Sequence, residues 1–327
     1  MEKKNVNLKM IAAEVGVSVN TVSHALRDMD DISQETKEKV RRKALELGYM
    51  PNVLSQHLKA GEKLAVAILI PSFNNLYFVS MTNHLIRLFK VKKEYNLLIL
   101  HDSYEADTEI IKQCVLQRID LLIIHSQISE EAMGLAKLNG VAIVIIDGYG
   151  GSCDGDCINV DAQTGAVLAA RYLFGVHNNR KFLYVGKDNP ISDNRYNIYK
   201  QELEVMGAED IVFLTYNPKD VETLYNYIIK GYRSVFFFND VIAYSALEHL
   251  DEMLVDTRKL FPDLHIVGFD GLCVEYNGMK QITTIKIDYS KFAKEVYEIV
   301  KLRLDKPKEP YKNAMISVSL HQRRRKE

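Results

Sequence analysis

The sequence predicts an α/β protein in two parts: an N-terminal helix-turn-helix domain of three helices, then a two-lobed region of doubly wound parallel sheet. Two observations carry this. The first fifty residues hold three short stretches with apolar residues at helical spacing, and from Leu64 onward continuous apolar runs alternate with helical periodicity.

The N-terminal elements follow in order. Leu8, Ile11, Ala12 and Val15 fall at i, i+3, i+4 and i+7, with Asn7 placed to cap the helix and Gly16 to end it. Ser18 can cap a second helix that buries Val22, Ala25 and Leu26. A third begins near Ser33 and buries Val40, Ala44 and Leu47 before Gly48. Two short helices joined by a tight turn containing glycine, braced by a third, make a helix-turn-helix arrangement.

The second helix then shows Asn20, Ser23, His24 and Arg27 opposite its apolar face. Short hydroxyl and amide groups suit a surface that meets nucleic acid better than one that only meets water. Val19 can touch a thymine methyl, and Asn20 can pair bidentately with adenine; with His24 they form the candidate base-reading set. Ser18, Thr21 and Ser23 can donate to phosphate oxygens, which fixes register without reading sequence. Charge adds little. Residues 1–63 carry 11 Lys and Arg against 9 Asp and Glu, and the whole chain has a formal charge of −1.

The order G-V-S-V-N-T-V-S-H-A-L, then I-S-Q-E-T-K-E-K-V, then L-G-Y-M-P-N-V-L-S-Q-H-L-K-A-G resembles the N-terminal domain of the LacI/GalR family of bacterial transcription regulators. The resemblance continues more weakly to the C-terminus. His24 stands where many members carry Arg, which should alter the base that is read. The implied organisation is a helix-turn-helix DNA-binding domain at 1–50, a hinge helix or linker at 51–63, and an effector-binding and dimerisation domain of periplasmic-binding-protein type at 64–327. Its first lobe would span 64–161 plus 288–310, and its second 162–287 plus 311–322.

Asn52 could cap a helix over 53–58, too short to be stable alone in water. The resemblance makes it the hinge helix, with Leu58 from each subunit wedged into the operator's minor groove, which kinks the duplex.

In the large region, strand-like runs occur at 64–70, 97–100, 121–124, 141–146, 182–185, 235–238 and 266–269. Such runs separated by helices indicate parallel sheets covered on both faces, whose ligands bind beyond the strands' carboxyl ends. Enzyme signatures are weak. D-G-Y-G-G-S-C-D-G fails a dinucleotide fingerprint at Cys153, no phosphate-binding P-loop occurs, and Cys153 with Cys157 finds no second pair to complete a metal site. No catalytic residue, metal or cofactor is therefore expected. The resemblance instead implies an effector pocket made by Ser72, Phe78, His125, Asp147, Arg195, Tyr216, Asn239 and Asp270, suited to a sugar or sugar phosphate. Hydroxyls would meet the charged and amide groups, and a sugar face would meet the aromatic rings.

The expected function is repression of a carbohydrate-utilisation operon through a palindromic operator, modulated by that effector. The alternatives are a regulator that needs a purine or phosphoprotein corepressor, and a sugar-binding or sugar-converting protein with an incidental N-terminal bundle. The 327 residues contain no run of eighteen apolar residues and no secretory signal, so a cytoplasmic protein without membrane contact is expected, its four irregularly spaced cysteines reduced. The end, S-V-S-L-H-Q-R-R-R-K-E, has no apolar heptad after Leu320. A homodimer that does not pair into tetramers is expected, with Val318 and Leu320 on a final strand of the second lobe.

Overall fold

The computed structural model describes residues 8–26, 29–47, 63–101, 105–125, 127–147, 155–176, 180–254, 256–272 and 282–323. Asn7, Arg27, Gly48, Asn52, Leu58 and Cys153 lie outside them, and with them nearly all of the expected hinge. The chain forms two compact units, 1–62 and 63–327.

In the first unit, α1 (Leu8–Val15), α2 (Val19–Leu26) and α3 (Gln34–Glu46) pack around Ile11, Val15, Val22, Ala25 and Val40. Leu8, Leu26 and Leu47 are only partly buried at its margin. Gly16 adopts φ +77 at the turn, where a side chain would be strained. Ser18 caps α2 by accepting the Thr21 N–H at 3.0 Å, and Ser33 caps α3 through Thr36.

In the second unit, β1 (Ala65–Ile70), α4 (Leu76–Lys92), β2 (Asn96–His101), β3 (Glu105–Ala106), α5 (Thr108–Leu116), β4 (Leu121–His125), β5 (Gln127–Ile128), α6 (Glu130–Leu138), β6 (Ala142–Ile146) and β7 (Asp156–Val160) come first. Then follow α7 (Ala162–Val176), β8 (Lys181–Gly186), α8 (Pro190–Val205), β9 (Asp210–Thr215), α9 (Val221–Ile229), β10 (Ser234–Phe237), α10 (Asp240–Leu254), α11 (Thr257–Leu260), β11 (His265–Asp270), β12 (Thr283–Ile287), α12 (Tyr289–Asp305), β13 (Asn313–Ile316) and β14 (Val318–His321).

Two six-stranded sheets result, ordered β13-β7-β6-β4-β1-β2 and β14-β12-β11-β10-β8-β9, with a small β3-β5 pair. All pairings are parallel except β12 with β14. Helices cover both faces of each sheet, so β1 and β10 are buried at every position.

The chain passes between sheets three times: after β7, after β12, and after β13. The third passage corrects the expected lobe boundary. Residues 313–316 pair with β7 in the first sheet, and only from Val318 does the chain join the second. The reason is a buried ion pair that anchors the preceding turn. Arg303 of α12 grips Asp156 of β7 and three carbonyls of residues 307–310, which delivers β13 to the first sheet's edge.

Cys114 is a free, buried thiol, whereas Cys157 is disulfide-bonded, against the expectation of four reduced thiols. Pairing depends on how side chains approach in space, which spacing along the chain does not report. Among the described residues, no helix is long and apolar enough to cross a membrane.

Candidate functional site

The N-terminal unit carries the first candidate surface. Val19 is 40% exposed and Asn20 is exposed in the first turn of α2, open to a partner. Ser18 and Thr21 share a 2.8 Å hydroxyl bond, so any phosphate must compete with it. His24 is held by a residue that the sequence did not single out. Its Nδ1 lies 2.6 Å from Asp31 Oδ2, beyond the end of the helix. That contact fixes the ring and leaves Nε2 as the imidazole atom available to a base edge.

Two expected results follow. Asn20→Ala should cost about 1–3 kcal/mol of operator binding and relax preference at one base pair per half-site. Asp31→Ala should relax preference at the base pair that His24 meets, without altering the Asn20 position. A randomised-operator selection checks both; an unchanged base preference removes the residue from the reading set.

The second candidate is a cleft of about 1400 Å³ between the carboxyl ends of the two sheets. Phe78, His125, Asp147, Arg195, Asn239 and Asp270 line it together. They come from α4, the end of β4, the residue after β6, α8, the turn before α10, and the end of β11. Parallel strands bring their carboxyl ends to one edge, and chain reversals there need loops that reach inward.

Ser72 and Tyr216 are not among the lining residues. Ser72 Oγ instead accepts the Asn74 N–H and tightens the turn before α4, so Asn75, Tyr77 and Phe78 meet the cleft in its place. Tyr216 follows β9, the edge strand of its sheet, and its hydroxyl bonds Ser245 and His249 on α10.

Arg195 has a rigid seat. Gly186 lets the β8–α8 turn close tightly, since a Cβ there would lie 2.2 Å from Ser192 Oγ. Asn189 caps α8 and Pro190 occupies its first turn. The guanidinium, 7% exposed, sits 3.7 Å from the Phe269 ring centroid and donates through Nη1 to the Phe238 carbonyl. Among the described residues its Nε has no hydrogen-bond partner, and neither nitrogen of His125, which is 3% exposed, has one either. Such orphaned buried groups are costly unless a ligand or water meets them. Burial lowers the His125 pKa to about 3, so its imidazole is neutral.

The carboxylates differ in their ties. Asp147 accepts from the Val160 N–H and from the Tyr77 hydroxyl, so much of its capacity is already committed to the cleft's own walls. Asp270 bonds Tyr289 through its backbone carbonyl, leaving its carboxyl group at the cleft. Both residues are non-glycine with positive φ, 51° and 107°; such strain persists only where packing over-determines it and concentrates at functional sites. Burial pushes both carboxyls above their usual range. For Asp270 the neighbouring Asp240 adds repulsion that Arg195 only partly offsets. Asp240 is itself raised to about 7 by burial, against the hydrogen bonds from Thr284 and Leu272.

Sequence reasoning missed Tyr77, Asn75, Asn189 and Asp161, which also line the cleft. The signal available was capping: Asn or Asp immediately before a helical stretch at a strand's carboxyl end.

Residues 7–52 match the family described as bacterial regulatory proteins, lacI family. Residues 7–52 thus form a lacI-family domain, and the chain is similar along most of its length to regulators of that family. Its curated relatives include the transcriptional repressor PurR of Vibrio atlanticus, 24% identical over 309 residues that cover 91% of each chain. Another is the ribose operon repressor of Haemophilus influenzae, 23% identical and covering 94% of this chain and 95% of that one. The fold matches a lac repressor dimer crystallised on operator with an anti-inducer, with a TM-score of 0.74, 19% identity and 98% coverage of both chains. The chain is a DNA-binding transcription regulator with an effector-binding domain.

Proposed function

We propose that the chain is a cytoplasmic homodimeric repressor of a carbohydrate-utilisation operon. It binds a palindromic operator through α2, and a small polyhydroxylated effector in the cleft sets its affinity. The observation that carries the effector reading is the pair of unpartnered buried groups, His125 from the first sheet and Arg195 from beside the second, facing one cleft with carboxyl and amide neighbours. A sugar offers hydroxyls that donate and accept, which suits such a mixture. Similar structures, at 18% and 17% identity, are a LacI family regulator from Enterococcus faecium with bound ribose and the regulator CelR in complex with cellobiose.

A purine corepressor is the second reading, favoured by the names of the PurR relatives. Linkage governs both. An effector that prefers the weakly binding arrangement lowers operator affinity by the factor by which operator lowers its own. In this reading a dimer presents two α2 helices to two half-sites.

Thermal-shift screening of sugars and purines, paired with operator binding at graded salt, tests the proposal. Operator binding with a steep salt slope is expected, and a true effector held at about 100 times its Kd stabilises by about 2.7 kcal/mol. Sedimentation at micromolar protein should give a dimer. A stable monomer, or turnover of a sugar without operator binding, overturns the reading.

A further inference from the structure

We propose that the cleft accepts uncharged polyhydroxylated ligands and rejects their phosphorylated or carboxylated forms. The inference rests on the effector reading above and narrows it.

The N-terminus of a helix is where a protein most readily holds a phosphate, because its free N–H groups and dipole favour negative charge. Four helix N-termini border this cleft, those of α4, α7, α8 and α10, and in each a side chain that itself lines the cleft already accepts one of the first-turn N–H groups and stands where an anion would approach. Asn75 accepts the Tyr77 N–H at 3.1 Å, Asp161 the Thr164 N–H at 2.9 Å, Asn189 the Ser192 N–H at 2.9 Å and Asn239 the Ile242 N–H at 2.9 Å. At α8, Pro190 also removes one donor outright.

The same caps decide what the cleft does offer. An asparagine whose oxygen faces its helix keeps its NH₂ group out of the cap. Asn75, Asn189 and Asn239 thus supply neutral amide donors, and His125 supplies an uncharged ring.

Charge points the same way. Among the described lining residues, the carboxyl groups are Asp147, Asp161 and Asp270, and the cations are Arg195 and Lys187. Lys187 is exposed, and Arg195, whose Nη1 is committed to the Phe238 carbonyl, offers its Nε as the buried cationic donor among them. Asp240 stands behind Asp270 as a fourth carboxyl. Burial shifts Asp147 and Asp270 toward their neutral forms even though Arg195 opposes the shift, so the site disfavours charge. A phosphate dianion would have to leave water for a buried site in which, among the described lining residues, Arg195 is the sole buried cation beside three carboxyl groups, which weakens its binding.

Calorimetry on the full chain with matched pairs tests this: D-ribose and D-ribose 5-phosphate, D-glucose and D-glucose 6-phosphate, adenosine and AMP. At least one neutral member should bind, with its phosphate ester about 100-fold weaker. Asp161→Asn keeps the cap while removing a charge, so it should narrow that ratio by at least about threefold; melting of the ligand-free variant reports its folding. A phosphate ester bound within tenfold of its neutral partner, or a ratio unmoved in a folded Asp161→Asn protein, overturns the inference and leaves the regulator reading standing. Silence of every compound, in binding and in operator release alike, overturns the effector reading itself.

Discussion

Asp156→Ala is expected to destabilise the chain by about 3–5 kcal/mol, the largest single effect outside the apolar core. Asp156 is fully buried and Arg303 is 5% exposed. The two form a bidentate pair, Nε to Oδ2 at 2.7 Å and Nη2 to Oδ1 at 2.9 Å, and Asp156 also accepts the Lys312 N–H at 2.9 Å. Removing the carboxylate leaves a guanidinium buried without its counter-charge and frees the turn that delivers β13. The pair should matter more for specifying that turn than for net stability. Asp156→Leu combined with Arg303→Met should therefore recover part of the loss, because well-packed apolar side chains replace buried ion pairs at little cost. Urea unfolding of the three variants measures this; a loss below about 1 kcal/mol for Asp156→Ala would show that water already reaches the pair.

Arg195→Ala should remove effector control while leaving operator binding intact. Hydrogen bonds to charged groups contribute about 1.5–3 kcal/mol each, so losing one or two weakens the effector by about 100-fold. Arg195→Lys should not restore it. Lysine keeps the charge, but it cannot lie flat on Phe269 while donating to the Phe238 carbonyl. Effector titrations followed by operator release check the result; an unchanged response in Arg195→Ala would place the ligand elsewhere.

Much of this protein could be read directly from its residues. Helical spacing located α1, α2 and α3, and seven apolar runs located β1, β2, β4, β6, β8, β10 and β11, most of them buried on both faces, because such strands announce themselves by composition alone. Two of the edge strands went unread. β9 holds the apolar run 211–214, which was passed over because it lies between two helices and is only partly buried, and β13 offers only Ala314, Met315 and Ile316 in a four-residue strand. The side of the cleft on which each loop would fall was harder still. Ser72 and Tyr216 have suitable chemistry, yet a turn bond and an edge-strand position carry them away from it.

The sequence by itself determined the three N-terminal helices and the parallel α/β class, since those depend on local periodicity, while six residues of the cleft came from the resemblance to a known family. Only the tertiary structure decided that Asp31 holds His24, that Asp147 is tied to Tyr77, and that β13 belongs to the first sheet. The last two ties join residues 70 positions apart, or 156 for Cys157 and Asn313, and the first spans a change of element. No periodicity along the chain encodes contacts of that kind; they are set by how packed elements bring remote groups together.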